Sequence, residues 1–325
     1  MRPKRTGFTL TELLVVIVIL CVVLFTLVPT LGHMRAIASE CQTVNNLKQI
    51  GLATQNANLT FGAAPSMFGE YGAGQSGSFW YQLLPYLEQD RIYVEGPAKA
   101  KSHIIKSFQS YRDPTYGTGL FSLTEQSYLP FAGNPVPQWA ADSSSQWGVC
   151  GFGANWMVFG DSPKSLDLSI SDGLSNTIVV CERYAITSQP EGDPRSGASL
   201  WAYGWQVPRA VHQWAREPEQ LKNPDRVSTS LYAAPYWARS GFSLRAGTDS
   251  QCWDPTQPWE FRNHLKPQFA PAPANSHPFR EQSANQQYIH VLQGDGSVVT
   301  VDREIEDRLW FARICPDDGA PINDG

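Results

Sequence analysis

The chain has 325 residues, 42% hydrophobic and 17% charged, which is enough apolar material for one sizeable core or two modest ones and too much for a disordered polymer. Its formal net charge is −5 although Arg2, Lys4 and Arg5 stand at the very start, so the chain beyond them is more acidic still. That balance, without clustered Lys and Arg, argues against nucleic acid as a partner.

From Phe8 to Leu31 the string FTLTELLVVIVILCVVLFTLVPTL is apolar except for four Thr and Glu12. As a helix rising 1.5 Å per residue it reaches about 36 Å, more than the hydrocarbon core of a bilayer at about 30 Å. Residues 8–31 are therefore expected to form a single transmembrane helix. The basic residues in front of it predict a cytoplasmic N-terminus and an exported C-terminal body. An ordinary secretory signal has a shorter apolar stretch with a small-residue cleavage site behind it. Here the processing point is Gly7, between the basic leader of residues 1–7 and the first apolar residue, so cutting leaves the helix on the product. A carboxylate inside such a helix costs roughly 2.5–3.5 kcal/mol on insertion scales. Cleavage after Gly7 would supply its counterpart, because Phe8 becomes a free α-amine one helical turn from Glu12. In a packed filament the acid of one subunit could neutralise the amine of its neighbour.

GFTLTELLVV, with Gly7 before the cut, Phe8 after it and Glu12 fifth in the product, resembles the prepilin signal. The resemblance implies a membrane prepilin peptidase that cuts after Gly7 and N-methylates Phe8. Pro29 matches a proline common in such helices, where it can kink or locally melt the helix during assembly. Beyond it, residues 32–58 read as an exported continuation of the helix: Ile37, Cys41, Val44, Leu47 and Gly51 or Ala53 recur at helical spacing, while Arg35, Glu40, Asn45 and Lys48 face elsewhere. That stripe needs a sheet to lie against.

Residues 59–325 form the exported globular body. Most of the chain's 11 Trp, 24 Pro and 26 Gly fall there, a composition of turns and large flat side chains closer to β or α+β than to a helical bundle. CQTVNNLKQIGLATQN and then SFWYQLLPYLEQ resemble a large bacterial pseudopilin-like family with a domain of unknown function, whose members start with a prepilin signal and end in a processing-associated His and Asp-Gly domain. The residues that carry this likeness are Asn46, Leu47, Lys48, Gln49 and Gly51, then Leu84, Pro85, Tyr86, Leu87 and Glu88. SDGLSNTIVVCER continues it at Asp172, Gly173, Ser175 and Asn176, and the C-terminus adds His277, Asp295 and Gly296. Trp80, Leu83, Leu84 and Leu87 share a face behind a possible N-cap, Ser78, so a short core-facing helix explains that segment. SDGLSNTIVVCER reads as a turn at Asp172-Gly173 and a strand at Thr177–Arg183. The family usually has Cys-Pro-Ser-Asp where this chain has Ser110 to Asp113, which removes one potential disulfide partner. In its terminal motif a His stands a short fixed distance before Asp-Gly. Here seventeen residues separate His277 from Asp295 and four separate His290 from it, and an insertion around Phe279–Gln286 accounts for the gap. Tyr288–Gln293 and Ser297–Val301 alternate apolar and polar residues around Asp295-Gly296, which predicts a hairpin near 288–301.

Chemistry is harder to find. No GxSxG, HExxH, phosphate loop or dinucleotide fingerprint occurs, and GAGQSG at Gly72–Gly77 lacks the strand and helix a phosphate loop needs. His264, His277 and His290 have no metal spacing. Asp295, Asp302, Glu304, Asp317 and Asp318 offer the hard oxygens calcium prefers, in no EF-hand pattern, against the plain reading of a solvated acidic tail. The cysteines at 21, 41, 150, 181, 252 and 315 form no CxxC; an oxidising compartment allows one or two disulfides, and free buried thiols are equally open. Trp201, Trp205, Trp214, Trp237, Trp253 and Trp259 are either core or a stacking surface for sugars or a partner.

The expected fold is α+β: a long N-terminal helix, its first half in the membrane, packed on an antiparallel sheet in pilin-like fashion with large loop-rich insertions. The expected function is structural, a pseudopilin-like subunit or accessory of a type II secretion or type IV pilus-like filament in the bacterial inner membrane, its body periplasmic or built into an envelope or extracellular filament. Prepilin peptidase, other pilin-like subunits and the assembly platform would be its partners, with no catalytic residues or cofactor. The rival is an inner-membrane-tethered envelope protein that binds glycan or protein.

Overall fold

A computed structural model describes residues 10–72, 74, 76–122, 146–160, 162–187, 197–202, 241–242, 266–276 and 281–316. They belong to two compact units, Met1–Gln42 and Thr43–Gly325.

Helix α1 runs from Leu10 to Phe61, 52 residues, and its backbone stays helical across Pro29 and Gly32. The β-branched run from Val15 to Ile19 is a weak helix former in water; where water is absent only a helix satisfies every backbone group within one segment. Gly62, at φ +69°, takes the left-handed position that commonly ends a helix.

In the second unit one face of α1 is buried at spacings of three and four, through Thr43, Leu47, Ile50, Ala53 and Ala57, while Lys48, Leu52 and Leu59 stay exposed. The stripe read from hydrophobicity is corrected at its start: Ile37 and Cys41 are exposed and Val44 is half-buried. Polar residues take the buried face instead because the fold supplies them with partners. Thr43 Oγ1 accepts from the Tyr111 amide at 3.0 Å, and Asn46 Nδ2 donates to the carbonyls of Lys106 at 2.9 Å and Gln109 at 2.8 Å.

The main sheet has five strands, β1 (Phe152–Asn155), β2 (Ile178–Glu182), β3 (Gly241–Phe242), β4 (Tyr288–Gln293) and β5 (Val298–Asp302), in the order β5-β4-β2-β1-β3. Three pairings are antiparallel. The expectation of a purely antiparallel sheet is corrected at the other edge, where β1 pairs with β3 in parallel, and in a separate small parallel pair, Gln268–Phe269 with Gln282–Ser283. The strand alternation gives the sheet two apolar faces. Val180 pairs with Leu292 and Leu292 with Val298, all in or against the cluster that contains Leu47, Ile50 and Ala57 of α1. Cys181 pairs with Val291 and Ile289 with Val301, and these pack with Trp310, Phe311 and Ile314 of a last helix, α2 (Asp307–Ile314). The sheet of this unit is thus covered on both sides, in an α+β architecture.

Ser78 caps a helical turn at Phe79–Gln82, its Oγ accepting from Tyr81 N at 3.1 Å. Leu84–Leu87 follows as a 3-10 turn. The single short helix expected over this stretch is therefore two pieces, because Pro85 has no amide hydrogen to continue the first.

Candidate functional site: an apolar helix and a cluster of motifs

Gly7 and Phe8 lie outside the described residues. Glu12 lies near the start of the described part of α1. Around and beyond it Leu13, Leu14, Val15, Val16, Ile17, Val18, Ile19, Leu20, Val22, Val23, Leu24 and Phe25 are exposed on every side of the helix, Phe25 by 84%. A helix apolar all round demands an apolar surrounding. Among the described residues no helix is long and apolar enough to cross a membrane. The Pro29 side chain lies outside the described set.

Three of the motif segments of the second unit, at Gly51, Asp172–Asn176 and Asp295-Gly296, meet at one junction. A Cβ on Gly51 would lie 2.7 Å from Leu292 Cδ1 and 3.4 Å from the Gly296 Cα, so α1 packs closely on the end of β4 and its turn, and a side chain here would have to displace Leu292. One helical turn on, Gln55 Nε2 donates to the carbonyl of Gly294. The Asp172–Asn176 turn closes the junction from the other side: Gly294 N donates to Thr177 O at 3.0 Å and Asp295 N to Leu174 O at 3.1 Å. Within that turn Asn176 Nδ2 donates to Asp172 O at 3.1 Å, and Gly173 takes φ +103°. Asn46 and Gln49 hold the neighbouring loop, Gln49 accepting from Ser107 Oγ at 2.8 Å. Lys48 and Ser175 point to solvent. Leu84 is buried, Tyr86 and Leu87 pack partly against the core, and exposed Glu88 adopts φ 60°.

A second cluster was not legible from motifs. Asp113, Glu182, Arg183, Glu281 and His290 are all buried. Asp113 Oδ2 accepts from Ala185 N at 2.6 Å, and its Oδ1 accepts from the Thr115 amide at 2.8 Å and hydroxyl at 2.7 Å. Thr115 Oγ1 in turn accepts from Ile186 N at 2.9 Å. Burial raises the Asp113 carboxyl to about 6, and the bonds from Ala185 and Thr115 pull against that rise. Glu182 Oε2 accepts from His290 N at 3.0 Å, and its Oε1 is 3.4 Å from Ser110 Oγ. Burial lowers the Arg183 guanidinium to about 10, with the Glu281 carboxylate chief among the groups opposing it. The Glu182-Arg183 pair directly after the apolar run Ile178–Cys181 was the available signal: a charge pair closing a buried strand needs partners.

The calcium candidates do not converge. Asp295 Oδ1 accepts from Ser297 N at 2.8 Å in the hairpin turn, and Asp302 Oδ1 accepts from Glu304 N at 2.8 Å at the far end of β5. A strand of that length separates them by about 20 Å, so one ion cannot bind both. Asp317, Asp318 and His277 lie outside the described residues, among which no set of metal-ligating side chains is grouped. His290 packs edge-on against Tyr288 in the sheet. Trp201 is core, fully buried with Nε1 donating to His103 O at 3.0 Å; the other tryptophans of the 205–259 group lie outside the described residues. Cys150, Cys181 and Cys315 are buried, and Cys21 and Cys41 are exposed.

Comparison with known proteins matches residues 2–28 to the prokaryotic N-terminal methylation motif and residues 33–308 to the family described as protein of unknown function, DUF1559. No curated protein and no solved structure matches. The first match ends and the second begins within α1. The chain belongs to the DUF1559 family and is a type IV pilin-like protein with a prepilin-type N-terminal signal.

Proposed function

We propose that this protein is a pseudopilin-like structural subunit or accessory of a type II secretion or type IV pilus-like filament, anchored in the inner membrane by residues 8–31 until it is assembled. Prepilin peptidase cuts after Gly7 and the Phe8 amine is methylated. Glu12 then neutralises the amine of a neighbouring subunit as α1 leaves lipid for the filament. The observation that carries the reading is the all-round apolar surface of α1 from Leu13 to Phe25 behind a basic leader that matches the methylation motif. Such a helix is costly in water and tolerable in lipid or among copies of itself. The body acts through its surface and performs no reaction. Replacing Gly7→Leu is expected to block maturation, so that the variant keeps the gel mobility of the precursor when expressed with a prepilin peptidase. Mobility equal to the processed wild type would count against the proposal. Full processing without any shear-released filament would favour the tethered envelope-binding protein instead.

A further inference from the structure

Among the described residues the strand β5 is the last in its sheet, with no strand paired to its outer edge. In the β4–β5 hairpin, Gln293 N donates to Ser297 O at 2.9 Å and Arg303 N to Gln287 O at 2.7 Å. Antiparallel pairs alternate between bonded and non-bonded, so the register Val291↔Val299 and Ile289↔Val301 turns the amides and carbonyls of Val299 and Val301 inward. Those of Val298 and Thr300, with the amide of Asp302, face outward. The Asp302 carbonyl is taken by Ile305 N at 3.2 Å. Among the described residues no backbone group meets the outward row of Val298 and Thr300.

Open edges invite another strand, and proteins usually blunt them with Lys, Pro, bulges or a covering element. Val298–Asp302, VVTVD, carries no Lys, Pro or Gly, and its register with β4 is uninterrupted. Val298 and Val299 are only half-buried and Thr300 is exposed, so an added strand would cover apolar surface on both faces of the sheet. Charge then selects the occupant. At the turn end stands exposed Asp295, and at the other end Asp302, Glu304, Glu306 and Asp307 outnumber Arg303 and Lys266, whose Nζ reaches Ile305 O at 3.5 Å. Two copies of this edge paired antiparallel about Thr300 would bring Asp295 of one beside Glu304 of the other, which like-charge repulsion disfavours.

We propose that the β5 edge is a docking site for an extended segment of a partner protein, a short run of β-branched residues with Lys or Arg at both ends, bound by strand addition. The site lies in the body and does not depend on the N-terminal signal.

The test is fluorescence anisotropy on the full chain in detergent. The probe is a labelled synthetic peptide of alternating valine and threonine with a lysine at each end. Thr300→Pro removes one outward amide at a position that makes no bond to β4, where an edge strand tolerates proline; Thr300→Lys keeps the amide and reports on folding at the same site. Saturable binding that weakens about tenfold or more in Thr300→Pro, survives in Thr300→Lys and is lost when the peptide is backbone N-methylated supports the proposal. Binding unchanged by Thr300→Pro or by N-methylation overturns it, as does no binding at millimolar peptide. Equal binding of a glutamate-flanked peptide overturns the choice of a basic partner. Concentration-dependent dimerisation abolished by Thr300→Pro would assign the edge to a second copy and overturn it as well.

Discussion

Burial pushes the Asp113 carboxyl up to about 6 from an ordinary value of 3.8, against the hydrogen bonds from Ala185 and Thr115. The folded protein therefore holds this proton more tightly than the unfolded chain. Between pH 3.8 and 6 the native state binds the extra proton, so the contribution of Asp113 to stability is fully present below the lower value and is lost as pH rises through the upper one. A rise of that size corresponds to on the order of 3 kcal/mol. Melting temperatures across that window should fall less steeply for Asp113→Asn than for the wild type, and parallel slopes would remove Asp113 as the source. Arg183 and Glu281 pose a sharper problem, because two buried charges are tolerable only together. Arg183→Met is expected to cost about 3–5 kcal/mol in urea unfolding, and the double variant Arg183→Met with Glu281→Leu to recover most of it. A double variant as unstable as the two single changes added together would show that the groups act independently. Glu88 is the opposite case, an exposed side chain at φ 60°. Glu88→Gly should leave stability equal or raise it by about 1 kcal/mol by thermal melt, since a left-handed backbone penalises every residue with a Cβ.

The junction of α1 with the β4–β5 turn is where an element-scale change would be felt. Gly296 holds φ +87° with its nearest obstacle, Gln55 Cγ, 4.0 Å from a built Cβ. Gly296→Ala is expected to cost only the conformational penalty, about 1–2 kcal/mol. Gly51→Leu must instead displace Leu292 and the turn backbone and is expected to cost at least about 1–3 kcal/mol, measured by denaturant midpoint. A smaller loss for Gly51→Leu than for Gly296→Ala would contradict the close approach. The hairpin itself was legible, since alternation around Asp-Gly states both the strands and the turn, and the end of β2 was legible within one residue. The buried face of α1 was legible only from Leu47 onward. Hydrophobicity placed Ile37 and Cys41 inward, whereas Thr43 and Asn46 are the buried ones, because partners far along the chain satisfy their polar groups. The parallel β1–β3 edge had no sequence signal at all, since Gly241–Phe242 is too short to show a period.

At the scale of the whole molecule the chain divides by physical environment. The first unit ends at Gln42 and is dominated by apolar side chains. The second holds two cores on the two faces of one sheet. The first unit was open to reading from sequence, because a basic leader, a glycine and one acid in an apolar run together point to a single kind of processing signal. The second was legible unevenly: the motif glycines and asparagines stand out, but the charged groups Asp113, Arg183 and Glu281 become notable only once their burial is known. The proposed filament role rests on maturation, because cleavage after Gly7 would give the Glu12 carboxylate a free Phe8 amine to pair with. The most direct test is intact-mass and N-terminal peptide mass spectrometry of the protein isolated from membranes that contain a prepilin peptidase. The expected product begins at Phe8 and carries a methyl group on its amine; a chain that still begins at Met1, unmethylated, would contradict that role.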